Sequence, residues 1–327
     1  MLLRFLIRNQ IWHFALIPLI VGALWFRSFL HPEFFSFFEG ENGMPLYHII
    51  RLLTDRIPLL NSLLAAVILL VLAFIILRLN TLYSFIRMRT FLPSIIFVFI
   101  VSGIVSLHTL HPVYPGVVFM LLCVSRIFGA GSSGNMLSTA FEAGFFLSIG
   151  SLFYLNMLFY APVIWTGMLM MSKNRNWRIP ILSCIGLILP WFFTWTWYYF
   201  AGNTAELESV VILNFQSLQE IQFDTLPFRI YVGFLILLTL WGLVVILRQY
   251  DTQNINRRKY FQLFFLIFAI SIAMYFLLPA VAEEILVALA IPMTFLISNY
   301  LISIRSRVWG ELIILVFLGL TTYMQFV

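Results

Sequence analysis

Long apolar runs dominate the chain, and short polar segments separate them. Runs of about 17–25 residues, the length that crosses a bilayer as an α-helix, can be marked at eleven places. They are 11–30, 58–79, 91–110, 113–128, 139–155, 156–171, 179–200, 227–247, 260–279, 281–303 and 308–326. The fifth and sixth runs form one continuous apolar stretch with Asn156 and Pro162 in its middle. This stretch is therefore either one bent helix or two short ones.

Composition supports a membrane protein with a single transmembrane domain over 1–327. The 327 residues are 62% hydrophobic and only 10% charged, with a mean hydropathy of +1.01. A soluble domain carries about 25% charged residues. No polar block is long enough to fold as a separate domain, so we expect an all-α polytopic protein.

The basic residues predict the number of crossings. If all eleven runs cross and the N-terminus is cytoplasmic, the 19 lysines and arginines all fall on the inner side except Arg27, Arg51, Arg56 and Arg229. Merging the fifth and sixth runs would remove this bias. Because cytoplasmic loops are enriched in Lys and Arg, we predict eleven spans with the N-terminus in and the C-terminus out. The same bias explains the net charge of +6, so we expect no nucleic-acid partner.

Two outer loops are predicted to carry helices that lie in the membrane interface. Residues 47–56 place His48, Arg51 and Asp55 on one side and apolar side chains on the other. Residues 202–226 interleave apolar and polar positions in a similar way. Helices with one apolar face of this kind lie in the plane of the headgroups.

Glu39 and Glu41 are the sharpest feature of the first outer loop, where they flank Gly40. Two carboxylates that share a site can act as a general base or hold a divalent cation through oxygen ligands. A solvated acidic pair is the alternative. The cofactor is accordingly left open, with a divalent cation as one alternative.

The outward arginines and histidines are predicted to bind substrate. Arg51, Arg56 and Arg229 are placed against the topological bias, and an outward arginine can bind a phosphate group in a bidentate manner. An ion pair between Arg51 and Asp55 is the competing interpretation. The sequence also predicts His48, His108 and His111 as substrate ligands. His108 and His111 lack a third nearby ligand and make a poor zinc site, so no metal site is predicted there.

The stretch 91–200 resembles the central hydrophobic module of GT-C membrane glycosyltransferases. In that module a short turn between spans is followed by a hairpin that starts at glycine, a basic cytoplasmic turn and a span that ends in Pro-Trp. The positions that carry the match are Gly144, Gly150, Pro162, Trp177, Arg178, Gly186, Pro190 and Trp191. Nearly the whole chain, including RRKYF at 257–261 and the tail 290–316, also resembles an uncharacterised family of Bacteroidota inner-membrane proteins.

The resemblance implies a GT-C-like fold and transfer of a sugar from a polyprenyl-phosphate donor to an acceptor on the periplasmic face of a bacterial inner membrane. It places Glu39 and Glu41 at the position of the acidic motif that takes the acceptor proton. The sequence departs from the family in carrying Glu-x-Glu instead of an Asp-containing pair, and in lacking the hairpin lysine near Asn156.

Two alternatives stay open, and these departures concern the first of them. One is a non-catalytic membrane scaffold or assembly subunit with a GT-C-like fold, which would bind a membrane-protein partner. The other is a transporter of lipid or small solutes. Membrane lipids are expected partners under every interpretation, and a polyprenyl-phosphate-linked sugar is expected under the first.

Overall fold

The computed structural model describes residue 6 and residues 12–32, 43–54, 57–86, 88–131, 135–172, 176–216, 225–279, 281–304 and 306–326. Within these ranges the regular structure is entirely helical, which confirms the predicted all-α class. Buried apolar side chains from Leu6 to Met324 form one contiguous core cluster.

In the described ranges, the α-helices other than α3 and α10 follow the apolar runs, and four short 3₁₀ helices lie in the connections between helices. In chain order the α-helices are α1 (Trp12–Leu24), α2 (Phe26–Leu30), α3 (Pro45–Thr54), α4 (Pro58–Tyr83), α5 (Leu92–Ser102), α6 (Val113–Gly129), α7 (Met136–Phe153), α8 (Ala161–Met171), α9 (Arg178–Ala201), α10 (Thr204–Gln216), α11 (Leu226–Arg248), α12 (Ile255–Leu277), α13 (Leu286–Ser303) and α14 (Arg307–Met324). The 3₁₀ helices are Val105–His108, Leu155–Tyr160, Tyr250–Thr252 and Glu283–Ile285.

Six helices in the described part of the chain are long and apolar enough to cross a membrane. They are α4, α7, α9, α11, α12 and α13, the last together with the 3₁₀ turn before it. Five shorter apolar segments, at 14–24, 92–102, 113–129, 155–171 and 308–324, accompany them. Large apolar side chains such as Phe192, Phe193 and Leu240 are exposed on the long helices. A surface of this kind indicates a membrane protein.

Hydrogen bonds between distant segments define the two ends of the helical bundle. At the first, which we call the basic end, the Tyr83 hydroxyl donates to the Ser125 carbonyl oxygen at 3.1 Å, and Arg257 donates to the carbonyl oxygen of Phe85. At the second, which we call the acidic end, Ser106 donates to Glu283. The acidic end collects the connections between α5 and α6, between α7 and α8, and between α12 and α13.

Small residues bring α7 and α9 into close contact. An added Cβ on Gly144 of α7 would overlap the carbonyl oxygen of Ser183 in α9, and one on Gly186 would overlap that of Phe141. The Ser148 hydroxyl donates to the Leu187 carbonyl oxygen at 2.6 Å between the same helices. Small residues allow backbones to approach closely in membrane helix pairs, so these positions fix the spacing of α7 and α9.

The fifth and sixth apolar runs fold as two helices rather than one bent helix. The α-helix stops at Phe153, a 3₁₀ turn follows from Leu155 to Tyr160, and α8 begins at Ala161 with Pro162 in its first turn. Proline suits the first turn of a helix because it has no N–H to donate. The break falls where Asn156 and Pro162 interrupt the apolar pattern.

In the first and third predicted spans the helix breaks before the apolar run ends. The first run breaks at Trp25 between α1 and α2. The third ends at Ser102, because the chain then enters the 3₁₀ turn of 105–108. The Trp25 indole N–H donates to Ser102 Oγ at 2.9 Å, and the Ser102 carbonyl oxygen accepts from Gln325 Nε2 at 2.6 Å. Gln325 thus satisfies a carbonyl oxygen that a continuing helix would have used.

The two predicted interfacial segments contain helices α3 and α10. Ile49, Leu52 and Leu53 of α3 are exposed, and this spacing forms an apolar stripe on the outer surface. On the opposite side, the Tyr47 hydroxyl donates to the Leu110 carbonyl oxygen at 2.7 Å. The helix α3 therefore lies against the acidic end with an apolar face turned outward.

Candidate functional site

The connection between α5 and α6 is irregular backbone that is buried inside the protein. Its polar groups are satisfied from three neighbouring helices. Leu110 donates its N–H to Asn61 Oδ1 at 2.9 Å, and the carbonyl oxygen of Leu107 accepts from the Tyr114 hydroxyl at 2.6 Å. Buried backbone groups outside regular structure need such partners from the protein itself. This connection carries Ser106, His108 and His111 into the interior.

Two consecutive glutamates of the α12–α13 connection meet this segment. The side chains of Glu283 and Glu284 are only 5% and 4% exposed. Glu284 Oε1 accepts from the Tyr154 hydroxyl at 2.9 Å and from the Ala282 N–H at 2.9 Å. Glu283 Oε2 accepts from the Ser106 hydroxyl at 3.4 Å. Buried carboxylates need donors of this kind, so the pair is built into the structure.

His111 completes this acid cluster, which we define as Ser106, His111, Tyr154, Glu283 and Glu284. The imidazole ring lies edge-on to the Tyr154 ring with centroids 6.1 Å apart. Burial lowers the pKa of His111 to about 4, while the charge of Glu284 acts in the opposite direction. Nδ1 accepts the N–H of Val113 at 3.1 Å, which a neutral imidazole with its proton on Nε2 can do.

The connection between α7 and α8, which contains Tyr154, also contains the buried polar residue Asn156. Its side chain is 1% exposed. Within the described residues, its Nδ2 has no hydrogen-bond partner. Buried amide donors are normally satisfied, so Asn156 Nδ2 is an exception among the buried polar groups described.

An apolar groove of about 400 Å³ runs from Glu283 along α11, α12 and α13. Its wall on α11 extends from Phe228 to Leu243, which corresponds to about 22 Å of helix axis. Leu240 lines the groove and is exposed, so the groove opens on the apolar surface of the bundle. Its dimensions and lining suit a hydrocarbon chain, and its one charged lining residue among those described is Glu283.

Tyr275 of α12 joins the groove to the acid cluster. It lines the groove and lies within electrostatic reach of both Glu283 and Glu284. A chain in the groove would therefore end beside a tyrosine and a carboxylate. A carboxylate in this position can accept a proton from a substrate hydroxyl.

The structure separates the predicted substrate ligands. His111 joins the acid cluster. His108 belongs to a different network, in which its ring stacks on Trp25 with centroids 4.1 Å apart. Its Nδ1 lies 2.7 Å from Ser28 Oγ, and its Nε2 lies 3.0 Å from the Ser102 carbonyl oxygen. Both of its nitrogens are thus engaged by the protein.

The other predicted ligands lie at the edge of the acidic end. His48 is exposed on α3 and Arg51 is half-buried there, while Arg229 is exposed in the first turn of α11. Arg229 follows Phe228, which lines the groove. Glu39, Glu41 and Arg56 lie outside the described residues, and their predicted roles remain predictions.

Among the described residues, no group of three or more His, Cys, Asp or Glu side chains is arranged to hold a metal ion. The divalent cation suggested for Glu39 and Glu41 concerns residues outside this part of the chain.

Sequence reasoning missed Glu283, Glu284, Tyr154 and Ser106 as site residues. The two glutamates were visible as a consecutive acidic pair on the predicted outer side. Tyr154 and Ser106 give no such signal, because each looks like an ordinary residue at the end of an apolar run.

No protein-family model, curated protein or solved structure matches the chain. In the part of the chain that the structure describes, the fold is all-helical and includes six helices long and apolar enough to cross a membrane. At one end it carries a buried acid cluster that adjoins an apolar groove.

Proposed function

We propose that the protein is a GT-C-like membrane glycosyltransferase that uses a polyprenyl-phosphate-linked sugar as donor. The observation that carries the proposal is the apolar groove with Glu283 at its end. An isoprenoid chain would lie in the groove, and its polar headgroup would stand at the acidic end. The resemblance of 91–200 to the GT-C module supplies the reaction class.

The proposal includes eleven crossings of a bacterial inner membrane, with the acidic end on the periplasmic side. This count is supported by the five shorter apolar segments, which accompany the six long helices in the described part of the chain. Arg78, Arg126 and Arg257 are associated with the basic end, as expected for a cytoplasmic face.

The proposed step moves one sugar and one proton. The oxygen of the acceptor hydroxyl attacks the anomeric carbon, and the bond from that carbon to the phosphate oxygen breaks. The hydroxyl proton passes to a carboxylate, and polyprenyl phosphate leaves with the bonding electron pair. Glu283 is the candidate base that faces the groove, while Glu39 and Glu41 are the candidates from the resemblance. Arg229, beside Phe228 at the groove, is the cation proposed for the phosphate.

Photocrosslinking tests whether the groove takes a polyprenyl chain. Purified protein in nanodiscs would be irradiated with a polyprenyl phosphate that carries a diazirine on its chain. We expect labelled peptides from α11, α12 and α13, with competition by unlabelled polyprenyl phosphate and none by phosphatidylcholine. Leu240→Trp should reduce labelling several-fold by filling the groove.

Leu237→Trp is the matched control. Leu237 lies one turn away on the same helix and is comparably exposed, but it is outside the groove lining. Equal labelling of the two tryptophan variants, or labelling spread evenly over α9, would contradict a polyprenyl site in the groove.

Transfer assays then separate the candidate bases. Polyprenyl-phosphate mannose and polyprenyl-phosphate glucose, each with a radiolabelled sugar, would be supplied with bacterial membrane extract as acceptor. If Glu283 is the base, Glu283→Gln should lower transfer by at least about a hundredfold. If the base instead lies in the first outer loop, the double variant Glu39→Gln and Glu41→Gln should lower transfer to a similar extent. Absence of transfer by the wild type with both donors would argue against the proposed reaction for these sugars.

A further inference from the structure

A second cavity lies at the basic end of the bundle, far from the acid cluster. It has a volume of about 500 Å³ and lies where α4 ends and α12 begins. Its lining is rich in hydroxyl, amide and guanidinium groups and includes Tyr83, Ser84, Gln253, Asn256, Arg257 and Tyr260. This lining contrasts with the apolar groove and suits a polar ligand.

The walls of this polar cavity are held in place by packing. Arg257 donates to the carbonyl oxygen of Phe85 and to Asn299 Oδ1, the latter at 3.3 Å. The rings of Tyr83 and Tyr260 meet edge to face with centroids 5.2 Å apart. Ser84 takes a left-handed backbone conformation with φ of 50°, which turns the chain at the end of α4. The cavity is therefore a formed feature of the fold.

Its electrostatic surroundings favour an anion. Arg78 and Arg126 both lie within electrostatic reach of Tyr83, although Arg126 is also paired with Glu142 at 3.1 Å. Arg258 and Lys259 follow Arg257 in the sequence. The cavity also includes the start of the 23-residue helix α12, where the Asn254 side chain caps none of the first N–H groups. A helix N-terminus carries partial positive charge and favours anions.

Gln253 adds an acceptor to these donors. Its side chain is buried, and among the described residues no group donates a hydrogen bond to its Oε1. A buried amide oxygen is normally paired. A ligand hydroxyl could donate to it after a rotation of the amide, while Ser84 and Asn256 in the lining offer donors.

We propose that the polar cavity binds a phosphate ester that carries free hydroxyl groups. This chemistry is found in the headgroup of phosphatidylglycerol, and in soluble form in glycerol phosphate. Arg257, the neighbouring cations and the start of α12 would hold the phosphate, and the amides and Ser84 would bind the hydroxyls. The site is independent of the proposed glycosyl transfer, because it lies at the other end of the bundle.

Native mass spectrometry of the full chain tests this site. The protein would be released from nanodiscs that contain equal amounts of phosphatidylglycerol and phosphatidylcholine, and the lipids retained would be counted. We expect phosphatidylglycerol to be retained preferentially, and Asn256→Asp to weaken this preference by about tenfold. The added carboxylate is nearly isosteric and repels a phosphate. It also suits the first turn of a helix, so the variant should fold.

Asn135→Asp is the matched control, since Asn135 is exposed at the start of another helix, α7, and lies outside the polar cavity. It should leave lipid retention unchanged. Binding of glycerol 3-phosphate by calorimetry, abolished by Asn256→Asp, would support a soluble phosphate ester as the ligand. Selective retention of phosphatidylglycerol without such binding would support the lipid headgroup. Absence of both, or equal effects of the two aspartate variants, would overturn the proposal.

Discussion

The hydroxyl of Tyr154 donates to Oε1 of Glu284 at 2.9 Å and so joins two connections that lie 130 positions apart in the chain. Both side chains are buried. This single bond ties the turn between α7 and α8 to the turn between α12 and α13. The position of Glu284, and with it that of its neighbour Glu283 at the groove, therefore depends on a residue from the other half of the sequence.

Removing this donor should destabilise the acidic end. Tyr154→Phe leaves a buried carboxylate oxygen with one donor fewer, and such a loss costs about 1–3 kcal/mol. We expect the apparent melting temperature in detergent to fall by about 2–6 °C, since 1 kcal/mol corresponds to about 2 °C in a chain of this size. Tyr199→Phe, at an exposed position on α9, is the control and should change it by less than about 1 °C. Equal shifts in the two variants would contradict the structural role of the bond.

The close approach of α7 and α9 predicts a second effect on stability. Gly144→Ala places a methyl group against the carbonyl oxygen of Ser183, and backbone atoms cannot move aside as a flexible side chain can. Overpacking of this kind costs about 1–3 kcal/mol, which thermal unfolding in detergent would detect.

Gly319→Ala is the matched control for that prediction. Gly319 lies within α14, and a Cβ there meets nothing within 4 Å. Alanine is the better helix former by about 1 kcal/mol, so this variant should be neutral or more stable. A lower melting temperature for Gly319→Ala than for Gly144→Ala would show that helix spacing is not the cause.

The sequence predicted the helices well because apolar length and basic loops are local signals. The all-helical class is confirmed, and the apolar stretch with Asn156 and Pro162 is broken where those residues interrupt it. The irregular segment after Ser102 was missed, since Ile104, Val105, Leu107 and Leu110 continue the apolar run. Their departure from the helix depends on partners such as Trp25 and Gln325, which are distant in the sequence.

The site was harder to predict than the helices, because its residues are also distant from one another in the sequence. Sequence reasoning proposed His111 as a ligand, and the structure places it beside Glu284. The sequence gives no sign that His111, Tyr154 and Glu284 lie close together, because each belongs to a different connection between helices. Only the packing of α6, α7 and α13 determines which ends of apolar runs become neighbours.

Burial of His111 predicts a loss of stability in acid. Its pKa is about 4 in the folded protein and about 6.5 when unfolded, so the unfolded chain binds the proton first. The stabilisation is complete above pH 6.5 and is lost progressively as the pH falls toward 4, by about 3 kcal/mol at the limit. Protonation of Nδ1 would also break the hydrogen bond from Val113.

The melting temperature of His111→Gln should therefore fall less between pH 7 and pH 4.5 than that of the wild type. Parallel pH profiles would contradict this explanation.

Cysteine labelling tests the proposed orientation of the two ends. The native thiols would first be removed by Cys123→Ala and Cys184→Ala, since Cys123 is buried and Cys184 half-buried. Ser209→Cys on α10 would then report on the acidic end, and Ser303→Cys at the end of α13 on the basic end. Both serines are exposed.

In bacterial cells with a permeabilised outer membrane, an impermeant maleimide should label position 209 and spare position 303 until the inner membrane is opened. The three crossings proposed between the two positions, by α11, α12 and α13, require this asymmetry. Labelling of position 303 in intact cells would place the basic end outside and remove the acid cluster from the side where the proposed acceptor is found.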